Sequence, residues 1–274
     1  MQDFKYCYPN TEVLINKLGI KNAQKLFDAE KKMTALRMYE LQKNPIDGNF
    51  DFNHLKKIHK YIFQDVYEWA GEIRTVEIGK GNLFCTTPYI EEYAASIFSK
   101  YYSQCFSAKK NKNEFVNAFA SNYGDLNALH PFREGNGRAQ REFARQLCSE
   151  CGYDFTLANT THKEMLQASI LSFNKGDNSL FVKIFDNAIF KQNAQETDID
   201  NALFTLTSDD MIIGRPEAYD HYTYEMHENA KVYDAIYQAK IQKMDAEKKI
   251  LDAQNLLRKD KLDRKHNQAQ GFSR

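Results

Sequence analysis

Apolar side chains at three- and four-residue spacing recur through residues 23–190, and that period frames the chain as helices packed on helices. Ala23 to Lys43 carries Leu26, Ala29, Met33, Leu36 and Tyr39 on one stripe and stops at the breaker Asn44-Pro45-Ile46-Asp47-Gly48. Asp51 or Asn53 can cap a second helix bearing Leu55, Ile58, His59, Ile62 and Val66. Further helices are predicted over Ile90 to Tyr102, Lys112 to Leu129, Asn136 to Cys151 before Gly152, Thr161 to Phe173, and Ser179 to Phe190. One segment departs from the period. Arg74 to Ile78, then Gly79-Lys80-Gly81-Asn82, then Leu83-Phe84-Cys85 reads as strand, turn, strand. A lone hairpin is marginal in water, so it leans on the body or serves a partner. The fold class is all-α with one hairpin.

Charge divides the chain where periodicity does not. Thirty-seven Lys and Arg balance 37 Asp and Glu, so no global field draws the protein to nucleic acid or an anionic membrane. Residues 196–230 nevertheless set nine acids against Arg215 alone, while residues 231–274 hold eleven Lys and Arg against six acids. A body over 1–192, an acidic linker or small subdomain over 193–230 and a basic helical tail over 231–274 are expected. In that tail Val232, Ile236, Ala239, Lys243, Ala246, Ile250, Ala253 and Leu257 trace a weak heptad seam, suited to docking on the body or on another chain. No apolar run reaches the roughly 18–20 residues of a membrane span, and Met1 to Lys5 lacks the apolar core of a secretory signal. Five Cys suit a reducing compartment better than a disulfide scaffold, so a cytoplasmic location is expected.

The chemistry concentrates in His130-Pro131-Phe132-Arg133-Glu134-Gly135-Asn136-Gly137-Arg138-Ala139-Gln140-Arg141. Pro131 and Gly135 end one helix, and the next begins near Asn136. A glycine loop feeding a helix start presents backbone N–H groups and the positive end of the dipole, which is an anion site. Arg138 and Arg141 share a face, with Arg145 a turn further, so guanidinium groups can converge on an extended anion such as a triphosphate. Glu134 offers a hard oxygen ligand suited to Mg²⁺ shared with phosphates. His130 can accept a proton near neutral pH. Phe132 is expected to turn inward and anchor the loop. Cys148-Ser149-Glu150-Cys151 has redox spacing but no preceding strand, and His54 and His59 read as surface or packing residues.

This run resembles the Fic signature, His-Pro-Phe-x-(Asp/Glu)-Gly-Asn-Gly-Arg-x-x-Arg, at every specified position. The resemblance covers about residues 5–192 and includes Gln64 to Thr75, similar to the lead into that family's hairpin flap. Tyr6-Cys7-Tyr8-Pro9-Asn10-Thr11 with Asn16 to Ile20 resembles the start of Fic proteins tied to type IV secretion and conjugation. The resemblance implies protein AMPylation by a toxin or effector. His130 would deprotonate a target Tyr, Thr or Ser, and Glu134 would hold Mg²⁺. Gly135, Asn136 and Gly137 would cradle the phosphates of ATP, and Arg138 and Arg141 would neutralise them. The flap residues Val76, Ile78, Lys80, Gly81, Asn82 and Leu83 would clamp the target backbone by strand addition.

Gly137 separates this chain from Doc-like kinases, which carry Lys at that place in the motif. Two alternatives stay open at this point: a nucleotide-dependent binding module without catalysis, and a donor other than ATP. Many relatives restrain themselves with (Ser/Thr)-x-x-x-Glu-(Gly/Asn), whose Glu meets the second motif Arg, here Arg141. Thr160 to Glu164 is followed by Met165, and Glu228-Asn229 has Tyr224 at the hydroxyl position, so neither fits. A separate small antitoxin supplying that Glu is therefore expected, with translocation into a recipient or host cell as a further possibility of the family. The target protein and the oligomeric state are not legible in the sequence.

Overall fold

The structure is a computed structural model that describes residues 5–80 and 82–192. In chain order it holds α1 (Ala23–Lys43), α2 (Phe52–Phe63), β1 (Gly79–Lys80), β2 (Asn82–Leu83), α3 (Ile90–Phe98), α4 (Tyr101–Ala108), α5 (Lys112–Leu129), α6 (Asn136–Glu150), β3 (Tyr153–Phe155), α7 (His162–Lys175), α8 (Ser179–Ala188) and β4 (Ile189–Lys191). The acidic segment and the basic tail expected over 193–274 lie outside the described residues.

Local chemistry starts these helices where the sequence allows. Asn22, Asp51 and Asn111 each accept backbone N–H groups of the first turn, and Thr161 with Glu164 forms a reciprocal capping box. Glu164, the near-miss of the inhibitory pattern, is thus occupied at the start of α7. The core lies around α5, which buries Phe115, Phe119, Tyr123, Leu126 and Leu129 along one continuous stripe. α6 packs against it, and α2 packs on α6 in turn; Leu55, Ile58 and Ile62 of α2 and Ala139, Phe143 and Leu147 of α6 have no exposed surface. Phe115 on Tyr153 and Phe119 on Phe185 bring β3 and α8 onto the same core. The two helices that carry the signature, α5 and α6, are therefore the most firmly held in the fold.

Three expectations change. The stretch Ile90 to Tyr102 is two helices, because the chain turns at Ser99-Lys100. There Ser99 and Ser103 hydroxyls donate to the Ser96 and Lys100 carbonyls and compete with the helical ladder. The hairpin ladder is shorter than Arg74–Ile78 with Leu83–Cys85: only Gly79 with Leu83 and Lys80 with Asn82 are paired. Outside it the legs share one backbone bond, from the Phe84 N–H to the Ile78 carbonyl, and side chains hold the rest. The last helix stops at Ala188, and Ile189–Lys191 pairs antiparallel with Tyr153–Phe155, burying Ile189 and Tyr153.

Candidate active site

His130 terminates α5 in the left-handed region (φ 43°, ψ 60°), which turns the chain into the loop that starts α6. Its Nδ1–H donates to the Asn127 carbonyl at 3.2 Å, which fixes the tautomer and leaves Nε2 as the basic atom. Its ring stacks on Phe84 with centroids 3.7 Å apart. The imidazole thus stands at the end of α5 with the end of the hairpin laid against it.

The loop is braced from within. Asn136 is buried, and its side chain accepts from the Phe132 N–H at 2.9 Å and donates to the Phe132 carbonyl at 2.7 Å. Phe132 is fully buried, as expected, and stacks on His59 at 3.8 Å. Gly135 sits at φ 79°, and a Cβ there would lie 2.1 Å from Phe63 Cζ, so the position is closed to any side chain by both strain and contact. The first helical bond of α6 runs from the Ala139 N–H to the Gly135 carbonyl. The amides of Asn136, Gly137 and Arg138 precede it and point out of the helix start. The Arg141 guanidinium lies over Gly137: a Cβ on Gly137 would come within 3.1 Å of Arg141 Nη1.

Three sequence expectations are redirected by this geometry. Arg138 is buried and holds Glu30 of α1 at 2.6 Å, with Glu134 at 3.6 Å, so its nearest anion is a protein carboxylate. Arg145 does not extend the cradle; it is tied to Glu142 at 2.6 Å and to the Leu41 carbonyl. Asn136 spends its side chain on the loop, leaving its backbone amide for a ligand. Glu134 remains close to half exposed, with Oε1 accepting the Gly135 N–H at 2.9 Å. No group of three or more His, Cys, Asp or Glu able to hold a metal occurs among the described residues. A single carboxylate beside a helix start with outward backbone amides fits Mg²⁺, which keeps few protein ligands and would be completed by substrate phosphates.

Of the expected flap residues, Val76 and Ile78 lie on the outgoing leg, half-buried, and Lys80, Asn82 and Leu83 form the ladder, whereas Gly81 is outside the described residues. Cys148 and Cys151 are buried free thiols, and burial pushes Cys151 up to about 11 and raises Cys148 well above its ordinary value, so neither is poised as a nucleophile.

Glu30, Thr34, Tyr67 and Arg74 support the site without being singled out from sequence, and His59, expected at the surface or in packing, is a packing residue. Glu30 stands four residues after Leu26 and four before Thr34 on the buried stripe of α1; a carboxylate on such a stripe signals a buried ion pair. Tyr67 O–H donates to its Oε2, and Arg138 also reaches the Thr34 hydroxyl at 3.2 Å and lies over the Phe63 ring at 4.5 Å. Arg74 is buried beneath the hairpin. His59 is buried and neutral: it accepts the Gly71 N–H on Nδ1 at 2.8 Å and donates from Nε2 to the Glu134 carbonyl at 2.9 Å.

Burial sets the pKa of His59 at about 3, below its ordinary 6.5. The unfolded chain therefore binds more protons across that window. Stability rises with pH between the two values and is lost as pH falls through them. In urea unfolding at pH 7 and pH 4.5, this group alone should contribute a loss of up to about 1.4 kcal/mol per unit below pH 6.5. The slope should flatten in His59→Gln, with a remainder from His54, which burial also lowers. An unchanged slope in that variant would contradict the assignment.

A family model described as Fic/DOC matches residues 49–148. The chain is 44% identical over 169 residues to the protein adenylyltransferase VbhT of Bartonella schoenbuchensis, covering 61% of this chain but 35% of that one. It is 36% identical over 197 residues to a Salmonella typhimurium protein named "Probable protein adenylyltransferase Fic", covering 70% of this chain and 94% of the relative. Among solved structures, BepC of Bartonella tribocorum with bound AMPPNP superposes at TM-score 0.64 and 25% identity, covering 69% of this chain and 97% of that chain. The Fic domain of a VirB-translocated Bep effector of Bartonella quintana with bound ADP gives 0.65 and 27%, covering 69% and 96%. No helix among the described residues is long and apolar enough to cross a membrane.

Proposed function

The chain belongs to the Fic/DOC family, and on that premise we propose that it transfers AMP from ATP to a Tyr, Thr or Ser hydroxyl of a target protein, probing that protein through its hairpin. The observation that carries this reading is the pairing of a tautomer-fixed His130 with an open helix start six residues on. His130 Nε2 takes the hydroxyl proton as the oxygen attacks the α-phosphorus; the bond from that phosphorus to the bridging oxygen breaks, and pyrophosphate leaves. The amides of Asn136, Gly137 and Arg138 bind phosphate oxygens, and Arg141, lying over Gly137, offsets the charge that grows on the leaving group. Glu134 would hold Mg²⁺, which supplies charge neutralisation between phosphates. Arg138, held by Glu30, acts from inside: it fixes the first turn of α6 and adds positive potential behind the cradle.

Gly137 favours nucleotide transfer over phosphate transfer, because Doc-like kinases carry Lys at that place in the motif and a side chain there would crowd the Arg141 guanidinium. Restraint by a separate small protein that supplies a Glu to Arg141 belongs to the same proposal. Glu164, which ends the near-miss of the inhibitory pattern, is held in its capping box at the start of α7. Action as an effector is supported by the Bartonella structures named as VirB-translocated effector proteins, and action as a toxin belongs to the same proposal.

The experiment is mass spectrometry of proteins from a bacterial lysate incubated with the chain, ATP and Mg²⁺. The expected result is a hydroxyl residue carrying AMP, with pyrophosphate released in equal amount. Phosphorylated peptides with release of ADP would overturn the proposal in favour of kinase chemistry.

A further inference from the structure

Arg74 is 1% exposed, and its donors go to backbone carbonyls that belong to three different segments. Nε donates to the His130 carbonyl at 2.9 Å, Nη1 donates to the Val76 carbonyl at 2.9 Å, and Nη2 donates to the Cys85 carbonyl. Its own backbone N–H donates to the Pro131 carbonyl at 2.9 Å. One guanidinium thereby joins the residue of the base to the outgoing and the returning leg of the hairpin.

The neighbouring contacts close the same unit. The Cys85 N–H donates to the Ala128 carbonyl at 3.0 Å, so the returning leg also satisfies an end carbonyl of α5. The Phe84 N–H donates to the Ile78 carbonyl at 3.1 Å, and Phe84 stacks on the His130 ring. Glu77, 3.6 Å from Arg74 Nη1, accepts the Thr87 N–H and hydroxyl and closes the base of the hairpin from outside. A two-residue ladder has little stability of its own. Beside the Phe84 stack and the Cys85–Ala128 bond, it is the fork of Arg74 that ties both legs to the residue of the base. A planar guanidinium can reach three carbonyls at fixed angles, and an ammonium cannot.

Resting on the adenylyl-transfer reading above, we infer that Arg74 is a positioning residue: it locks the hairpin and His130 into one unit, so that a target strand laid along the hairpin presents its hydroxyl to Nε2 in register. Arg74 touches neither nucleotide nor target. Its loss should act on transfer to the target and leave nucleotide binding, which resides on α6, in place.

The test compares wild type, Arg74→Lys and His130→Ala for protein labelling from ATP labelled at the α-phosphate and for ATP affinity by calorimetry. Arg74→Lys should bind ATP within about twofold of wild type and label protein at least about tenfold more slowly, since misplacement by an ångström can cost about a hundredfold. Adding methylguanidinium to Arg74→Ala should restore part of the labelling. Labelling by Arg74→Lys at the wild-type rate, with His130→Ala silent, would overturn the positioning role. Full labelling by His130→Ala would instead remove the base, and the positioning role with it. Should Arg74→Lys not fold, wild type carries the test: Arg74 Nε–H and Cys85 N–H should exchange with solvent as one protected unit, and independent exchange would overturn the inference.

Discussion

Truncation of Glu30 to alanine should lower stability by about 3–5 kcal/mol, the cost of leaving a buried guanidinium without its partner. Glu30 and Arg138 are each 6% exposed and 2.6 Å apart, and Tyr67 and Thr34 complete their hydrogen bonds. For a body of this size the thermal midpoint should fall on the order of 10 °C. Replacing both partners with apolar residues of similar volume, as in Glu30→Leu with Arg138→Met, should restore much of the stability. It should not restore nucleotide binding, because the positive charge behind the first turn of α6 is gone. Differential scanning calorimetry on the single and double variants measures the first effect and titration with ATP the second. A midpoint within about 2 °C of wild type for Glu30→Ala would show that solvent reaches the pair in solution.

Replacement of His130 by alanine should reduce AMP transfer about 10²–10⁴-fold, the usual worth of a positioned general base. ATP affinity should change little, because the helix start and Arg141 are separate from the imidazole. The ring does stack on Phe84, so the hairpin will loosen somewhat. His130→Asn, which can retain a donor toward the Asn127 carbonyl without a basic nitrogen, separates the two contributions. Its rate should match that of His130→Ala if proton acceptance dominates. A rate near wild type in His130→Asn would assign the effect to packing.

Much of this site was legible because its parts are contiguous. A proline, a glycine and a run of polar residues between two periodic segments can hardly be anything but a loop entering a helix, and α1 and α5 have the predicted bounds. The family resemblance rests on that same run and is matched by the comparisons. What escaped were the partners brought from a distance. Spacing within α6 places Arg138, Arg141 and Arg145 on neighbouring faces, but a helix treated alone does not reveal that Glu30 of α1 and the Leu41 carbonyl wait on the other side. Asn136 reads as a ligand-facing residue until its amide is seen bridging Phe132. Arg74 stood inside the quoted lead to the flap, yet its acceptors are carbonyls, which leave no mark in a sequence. The β3–β4 pair was hidden for a related reason: Ile189 and Phe190, just past α8, continue its apolar pattern, and only the distant Tyr153–Phe155 turns them into a strand.

The central claim is that this fold moves the nucleotide and leaves the terminal phosphates behind. Incubating the chain and its His130→Ala variant with a cell lysate and ATP, labelled in parallel at the α- or the γ-phosphate, tests it most directly. The expected result is α-label bound covalently to protein with wild type, almost none with the variant, and no γ-label above that of lysate alone with either. Gain of γ-label on protein over lysate alone, or α-label transferred equally by the variant, would contradict nucleotide transfer through His130.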